Sequence, residues 1–290
     1  MTGRFAPSPT GDLHLGNLRT ALLAWLFARS GGGRFLMRIE DLDRGRVRPG
    51  VEERQLADLA AIGVDWDGPV VRQSERLDLY AEALSRLEAA GLVYPCFCTR
   101  AEIREAASAP HGALPEGAYP GTCRELSPAE RAARAEATGR QPALRVRAGG
   151  ARVQVEDRLM GPLSGTVDDF VVRRGDGAYA YNLAVVVDDA DQGVDQVVRG
   201  ADLAESTPRQ AWLARTLGLA EPVYAHVPLV LGHDGARLAK RHGAVTLREV
   251  APDEARRWIA RSVGLAEGAD PLEAFDARRL PTQPTVFGAN

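Results

Sequence analysis

The sequence predicts an α/β fold: a Rossmann-like parallel-sheet core with an inserted subdomain and a short helical C-terminal region. Three observations predict it. The chain opens as strand, Gly-containing turn, helix, strand, the start of a parallel nucleotide-binding core. A stretch rich in Cys, Pro and Gly then breaks the pattern, and a buried apolar run with later helices resumes it. Residues 2–6 read as a buried strand that stops at Pro7-Ser8-Pro9-Thr10-Gly11, a turn cluster. Residues 15–30 carry Leu18, Leu22, Leu23, Leu26 and Phe27 at helical spacing and end at Gly31-Gly32-Gly33. Residues 34–39 form the second strand, closed by Glu40-Asp41-Leu42-Asp43, and helices follow at 51–62 and 75–90. Residues 94–127 are the loop-rich start of the insertion. Residues 126–138 read as a helix with Ser127 as N-cap. Short strands are expected at Leu144-Arg145-Val146-Arg147 and Phe170-Val171-Val172. Leu183-Ala184-Val185-Val186-Val187 reads as a buried parallel strand, and 208–217 and 252–263 as helices. The expected organisation is a first half-core at 1–93, an inserted subdomain at 94–180, a second half-core at 181–250 and a short helical region at 251–290.

Composition narrows the function classes. The 290 residues are 45% apolar and 26% charged, enough to bury a core and unlike a disordered chain. No apolar run approaches the ~20 residues that span a bilayer, and the first residues lack a secretory apolar core. Three cysteines, an odd number, argue against a disulfide framework. A cytoplasmic protein without a membrane partner is therefore expected, and a monomer is the expectation for its assembly. The net charge of -3 gives no global attraction for nucleic acid, so an RNA partner requires local basic patches.

Of the 36 basic residues, only Lys240 is a lysine. A chain so biased toward arginine retains lysine where a compact point charge is needed, and phosphate is the commonest such need. Lys240 lies in Arg237-Leu238-Ala239-Lys240-Arg241, a cationic loop able to close over a triphosphate. A solvated basic loop is the plain alternative. His14-Leu15-Gly16-Asn17 stands where the first strand feeds the first helix. Gly16 permits close backbone approach, and the helix N-terminus offers N–H groups to phosphate. His14 can donate to charge developing on an attacked phosphate. Alone, this motif is equally a capping turn.

Cys96, Cys98 and Cys123 are all the cysteines of the chain, within 28 residues of the insertion. Clustered thiolates suit a structural zinc site that needs a fourth ligand. His111 and Tyr119 compete for that place, and donor chemistry by itself favours His111.

Together the motifs resemble a family. Arg4-Phe5-Ala6-Pro7-Ser8-Pro9-Thr10-Gly11 with His14-Leu15-Gly16-Asn17-Leu18-Arg19-Thr20-Ala21 is similar to the opening of bacterial glutamyl-tRNA synthetases. Ile39-Glu40-Asp41-Leu42-Asp43, the run Tyr181-Asn182 through Asp188-Asp189, Arg199-Gly200-Ala201-Asp202-Leu203 and Thr207-Pro208-Arg209-Gln210 continue the match to the Lys240 loop. Two positions depart: Asn17 ends the His-x-Gly-His signature, and the Lys-Met-Ser-Lys-Ser-type loop reads Arg-Leu-Ala-Lys-Arg. The resemblance implies a glutamate pocket made by Arg4, Phe5, Ala6, Pro7, Ser8, Glu40, Tyr181 and Arg199. It implies an ATP site, with Mg2+, at His14, Gly16, Asn17 and Lys240, of which His14, Gly16 and Lys240 are catalytic. The arginines suit bidentate carboxylate contacts, Tyr181 donates a hydroxyl and Glu40 accepts from the substrate ammonium.

About 50 residues follow Lys240, too few for the helical anticodon-binding region of full-length members. The chain is therefore similar to the shortened, zinc-bearing branch, the glutamyl-queuosine tRNA(Asp) synthetases. That resemblance favours Tyr119 as fourth zinc ligand. It implies glutamate activation by ATP, then transfer to queuosine at the wobble position of tRNA(Asp). The alternatives are a truncated synthetase charging a 3′ terminal adenosine and an inactive paralogue that only binds RNA or glutamate.

Overall fold

A computed structural model describes residues 1–107, 118–243, 245–266 and 268–288, apart from the side chains at positions 100, 105–107 and 240. The chain begins with β1 (Thr2–Phe5), α1 (Leu15–Arg29), β2 (Arg34–Ile39), α2 (Val51–Ala61), β3 (Val71–Arg72) and α3 (Leu77–Ala89). The three strands form a parallel sheet in the order β1-β2-β3, as the opening pattern requires. Helix α1 is apolar on nearly every face, because it lies at the centre of the core. Leu18 and Leu23 are 0% exposed and belong to one cluster with Phe35, Met37, Val198 and Val227. Truncating either leucine to alanine would cost about 3 kcal/mol through lost burial and the cavity left behind.

The insertion carries β4 (Val93–Cys96), α4 (Arg100–Ala107), α5 (Pro128–Thr138), β5 (Ala143–Val146), β6 (Ala151–Asp157), β7 (Gly161–Val167) and β8 (Val171–Arg173). Strands β4, β5 and β8 form a small antiparallel sheet. Ser127 caps α5 as expected: its side chain accepts from the Glu130 amide, and Glu130 accepts from the Ser127 amide. The β6–β7 hairpin belongs elsewhere. Asp157 at the end of β6 pairs in parallel with Tyr224, so the hairpin extends the sheet of the second half-core across the expected boundary at residue 180.

The second half-core contains α6 (Tyr181–Asp191), β9 (Gln196–Gly200), α7 (Thr207–Leu217), β10 (Val223–Val227) and β11 (Val230–Leu231). Residues 183–187, expected as a strand, are helical. Leu183, Ala184 and Val185 are at most 1% exposed, so the segment is buried all round. An all-round buried helix and a two-face buried strand have the same apolar run, and periodicity does not separate them. The parallel strand is instead Gln196–Gly200, beside β10 in a sheet ordered β7-β6-β10-β9. The Asp195 amide donates to Thr2 O at 3.1 Å, which sets β9 beside β1. The order β3-β2-β1 then β9-β10 has its topological switch point between β1 and β9, where such sheets bind ligands.

Beyond residue 250 come α8 (Pro252–Ser262), α9 (Pro271–Ala274) and β12 (Thr285–Val286). The region is not purely helical: β12 pairs in parallel with β11. Arg19, 1% exposed, fastens α8 to α1 by donating to Ser262 Oγ at 3.1 Å, and holds the turn after β10 by donating to Pro228 O at 2.6 Å. Among the described residues no helix is long and apolar enough to cross a membrane.

Candidate functional site

A cavity of about 550 Å3 opens at the carboxyl ends of β1 and β9. Its wall includes Arg4, Phe5, Ala6, Pro7, Ser8, His14, Gly16, Asn17, Glu40, Tyr181 and Arg199. These are all the expected glutamate residues and all the expected ATP residues except Lys240. The Lys240 backbone opens a 3-10 turn, Lys240–His242, and its side chain lies outside the described residues.

The two arginines are held differently. Arg4 donates through Nε and Nη2 to the Asp189 carboxylate at 3.2 and 3.4 Å, so a buried carboxylate already balances it. Among the described residues Arg199 donates only to neutral groups: His226 Nε2 at 3.0 Å, Gln210 Oε1 at 2.7 Å, Thr207 Oγ1 at 2.8 Å and Leu203 O at 3.4 Å. Asp157 lies behind His226, 2.6 Å from Nδ1, so the ring protonates there and leaves Nε2 to accept. Burial, then the nearby Arg199, hold His226 below its ordinary pKa, which keeps it neutral. Arg199, 4% exposed, thus lines the cavity without an ion pair of its own among the described residues, Asp157 reaching it only through His226.

Glu40 lies 3.9 Å from Arg38 and lines the same end. Burial pushes its carboxyl up to about 7 against the pull of Arg38 and Arg4. Beneath it, Arg38 donates to Asp189 at 2.8 Å, and Asp188 accepts from Arg76 at 2.7 Å and from Gln73 at 2.8 Å. This paired network fixes α6 against β2 and leaves its buried charges matched.

At the other end, His14 caps α1. Its Nδ1 accepts from the Asn17 amide at 3.2 Å, and Asn17 Oδ1 accepts from the His14 amide at 3.2 Å. The Nδ1 contact puts the ring proton on Nε2. Burial, then Arg237, lower the His14 pKa to about 4, so the ring is a neutral donor at physiological pH. Gly16 keeps this corner open: a Cβ would stand 3.0 Å from the His14 ring and 3.3 Å from Val230, so either neighbour would have to shift by a few tenths of an ångström. The Leu15 amide donates to Val245 O at 2.7 Å, joining the start of α1 to the chain just past the Lys240 loop. Arg237 pairs with Asp202 at the cavity wall.

Several of these contributors escaped sequence reasoning. Gln55 donates to Ser8 O at 3.0 Å and Gly11 O at 2.7 Å, and so shapes the loop after β1. Asp189, Asp157, His226 and Thr207 carry no motif of their own. Asp189 and Thr207 lie inside blocks of the family resemblance, the one available hint.

The cysteines meet in the insertion. The sulfurs of Cys96, Cys98 and Cys123 lie within 4.8 Å of one another. Tyr119 Oη is 3.4 Å from Cys96 Sγ and 3.8 Å from Cys98 Sγ, and it accepts from the Cys123 amide at 2.8 Å. Three sulfurs and an oxygen at these spacings fit one tetrahedral cation. Burial, then the neighbouring Cys96, push the Cys98 thiol up to about 12, a cost that a bound cation would reverse. His111 lies outside the described residues.

The family model for the catalytic domain of class I tRNA synthetases (E and Q) matches residues 1–261. The glutamyl-Q tRNA(Asp) synthetase of Nocardia farcinica is 61% identical over 99% of this chain and 93% of its own. That of Symbiobacterium thermophilum is 51% identical over 100% of this chain and 96% of its own. The chain belongs to the glutamyl-Q tRNA(Asp) synthetase family. It is thereby a ligase-type aminoacyl-transfer enzyme of the class I synthetase fold. The crystal structure of a glutamate tRNA ligase from Elizabethkingia meningosepticum, in complex with its amino acid, superposes with a TM-score of 0.84 at 28% identity. That match covers 100% of this chain and 67% of the ligase.

Proposed function

We propose that the enzyme uses MgATP to activate L-glutamate as glutamyl-adenylate and transfers the glutamyl group to queuosine at the wobble position of tRNA(Asp). The observation that carries the reading is one cavity with two chemically different ends. Arg4, Arg199, Glu40 and Tyr181 suit an amino acid with two carboxylates, while His14, Gly16 and the α1 N-terminus suit a triphosphate. The names of the Nocardia and Symbiobacterium relatives support the acceptor.

In the first step a glutamate α-carboxylate oxygen attacks the α-phosphorus in line, and the bond to pyrophosphate breaks. Neutral His14 donates from Nε2 to the charge that develops, and the α1 amides add to that field. Lys240 would neutralise the departing pyrophosphate, to which Mg2+ remains bound as part of the substrate. In the second step a queuosine hydroxyl attacks the acyl carbon, AMP leaves and one proton is released. No covalent enzyme intermediate is involved. Zinc held by Cys96, Cys98, Cys123 and Tyr119 would supply rigidity to the insertion and no chemistry. A monomer acting in the cytoplasm completes the reading.

Radioactive glutamate tests it. Label should enter tRNA(Asp) from queuosine-containing cells and be absent from queuosine-free tRNA(Asp). Periodate, which destroys the cyclopentenediol and the 3′ ribose diol alike, should abolish acceptance, and a 3′-truncated tRNA should retain it. Acceptance that needs an intact 3′ adenosine would install the reading as a tRNA-charging ligase, which the likeness to the Elizabethkingia enzyme makes the competitor.

A further inference from the structure

A second cavity, of about 330 Å3, lies between the chain that follows β2 and the turn that follows β8. Two separate segments run from the first cavity into it. Glu40 and Tyr181 line the first, while Leu42 and Tyr179, each two residues away, line the second. The two cavities are therefore neighbours along both segments, about two residues apart, a spacing on the scale of successive groups of a linear molecule.

The lining has the chemistry of a nucleotide site. Tyr179 is held by an edge-on contact with Tyr80, centroids 5.5 Å apart. Leu77, at the first position of α3, is 38% exposed. Arg44 is exposed and makes no ion pair among the described residues. Arg174 bridges Asp43 at 3.4 Å and Asp176, exposed pairs of little strength that a phosphate can displace. An aromatic and an apolar surface beside an unmatched guanidinium accept an unstacked base and its phosphate. A volume near 330 Å3 is at the small-ligand end of binding sites, the scale of one nucleotide.

We propose that this second cavity receives the nucleotide next to the reacting one in the acceptor RNA, its base against Tyr179 and Leu77 and its backbone phosphate on Arg44. The inference rests on the reading above that the reacting nucleotide enters the first cavity. Extruding one nucleotide disrupts the stacking of its neighbour, and a second cavity that re-stacks that neighbour offsets part of the loss. It also supplies recognition through local charge, as a chain of net charge -3 requires.

The test uses Arg44→Ala, Arg44→Lys and Leu77→Glu, the last placing a carboxylate where the first turn of α3 tolerates it. ATP–pyrophosphate exchange without RNA and the KM for glutamate should stay at wild-type values. The KM for queuosine-bearing tRNA(Asp) should rise roughly tenfold for Arg44→Ala and for Leu77→Glu, and Arg44→Lys should restore most of it. The slope of log affinity against log salt should fall by about 1 in Arg44→Ala, the loss of one phosphate contact. Unchanged tRNA KM in Arg44→Ala and Leu77→Glu overturns the proposal. So does an equal fall in RNA-free exchange, which would place the damage in the glutamate cavity. A wild-type enzyme that ignores queuosine would overturn the acceptor reading instead, and is seen without any variant.

Discussion

His14 and Asn17 cap each other: each backbone amide donates to the other's side chain at 3.2 Å. The contact fixes the His14 tautomer, and the lowered pKa of about 4 keeps the ring neutral. Asn17, expected from the sequence as an ATP contact, here has a second possible duty through His14. The two duties separate in kinetics. If Asn17 positions His14, Asn17→Ala should lower kcat of ATP–pyrophosphate exchange about tenfold and leave the ATP KM almost unchanged; loss of the cap also costs ~1 kcal/mol of stability. Asn17→Asp keeps the acceptor and should retain more activity than Asn17→Ala. A carboxylate beside a triphosphate is repelled, so an Asp variant worse than Ala, with a raised ATP KM, would make Asn17 a phosphate ligand.

The Glu40 carboxyl, raised to about 7 by burial, gives a pH dependence. In the proposed role of ammonium acceptor, only its ionised form binds well. The glutamate KM should therefore fall as pH rises through about 7, and Glu40→Gln should weaken binding and flatten this profile. The sign for stability is opposite. A carboxyl whose folded pKa exceeds its unfolded 4.5 holds its proton longer in the folded state, so stability declines as pH rises from about 4.5 to about 7. Saturating glutamate should diminish that decline, readable as a melting temperature followed against pH.

Lys240→Arg should reduce ATP–pyrophosphate exchange by ~100-fold, the scale of losing one preorganised charge at a developing anion. The glutamate KM should barely move, since the proposed glutamate contacts lie at the other end of the cavity. Near-normal exchange by this variant would make the lysine incidental, a survivor in an arginine-rich chain.

Metal analysis of freshly purified protein should find close to one zinc per chain. Cys98→Ala should lose it and lower the melting temperature of the insertion, since structural zinc contributes ~10 kcal/mol or more to local folding. Tyr119→Phe should weaken retention against a chelator less than Cys98→Ala does, because one neutral oxygen is lost from a site of three sulfurs. Protein free of zinc with an unaltered insertion would remove the metal from the account.

Much of the enzyme was legible in its linear order. The opening strands, α1 and the capped α5 follow from local pattern: apolar spacing, turn residues and a Ser-x-x-Glu cap depend on neighbours a few residues apart. The wall residues of the cavity were legible because the motifs keep their spacing. Helix α6 was not, because Leu183-Ala184-Val185-Val186-Val187 is compatible with strand or helix until the partners around it are known. The β6–β7 hairpin likewise joins a sheet through a parallel bridge to a residue 67 positions away, which no local pattern announces. The sequence by itself thus determined which side chains could do chemistry: the solitary lysine, the histidine turn, the arginines and the three thiols. Only the tertiary structure decided their electrostatic state. Arg4 is balanced by Asp189, Arg199 is left with neutral partners, and His14 is held neutral, because charge, burial and tautomer are set by groups brought together from positions far apart in the chain, Asp189 to Arg4 across 185 residues.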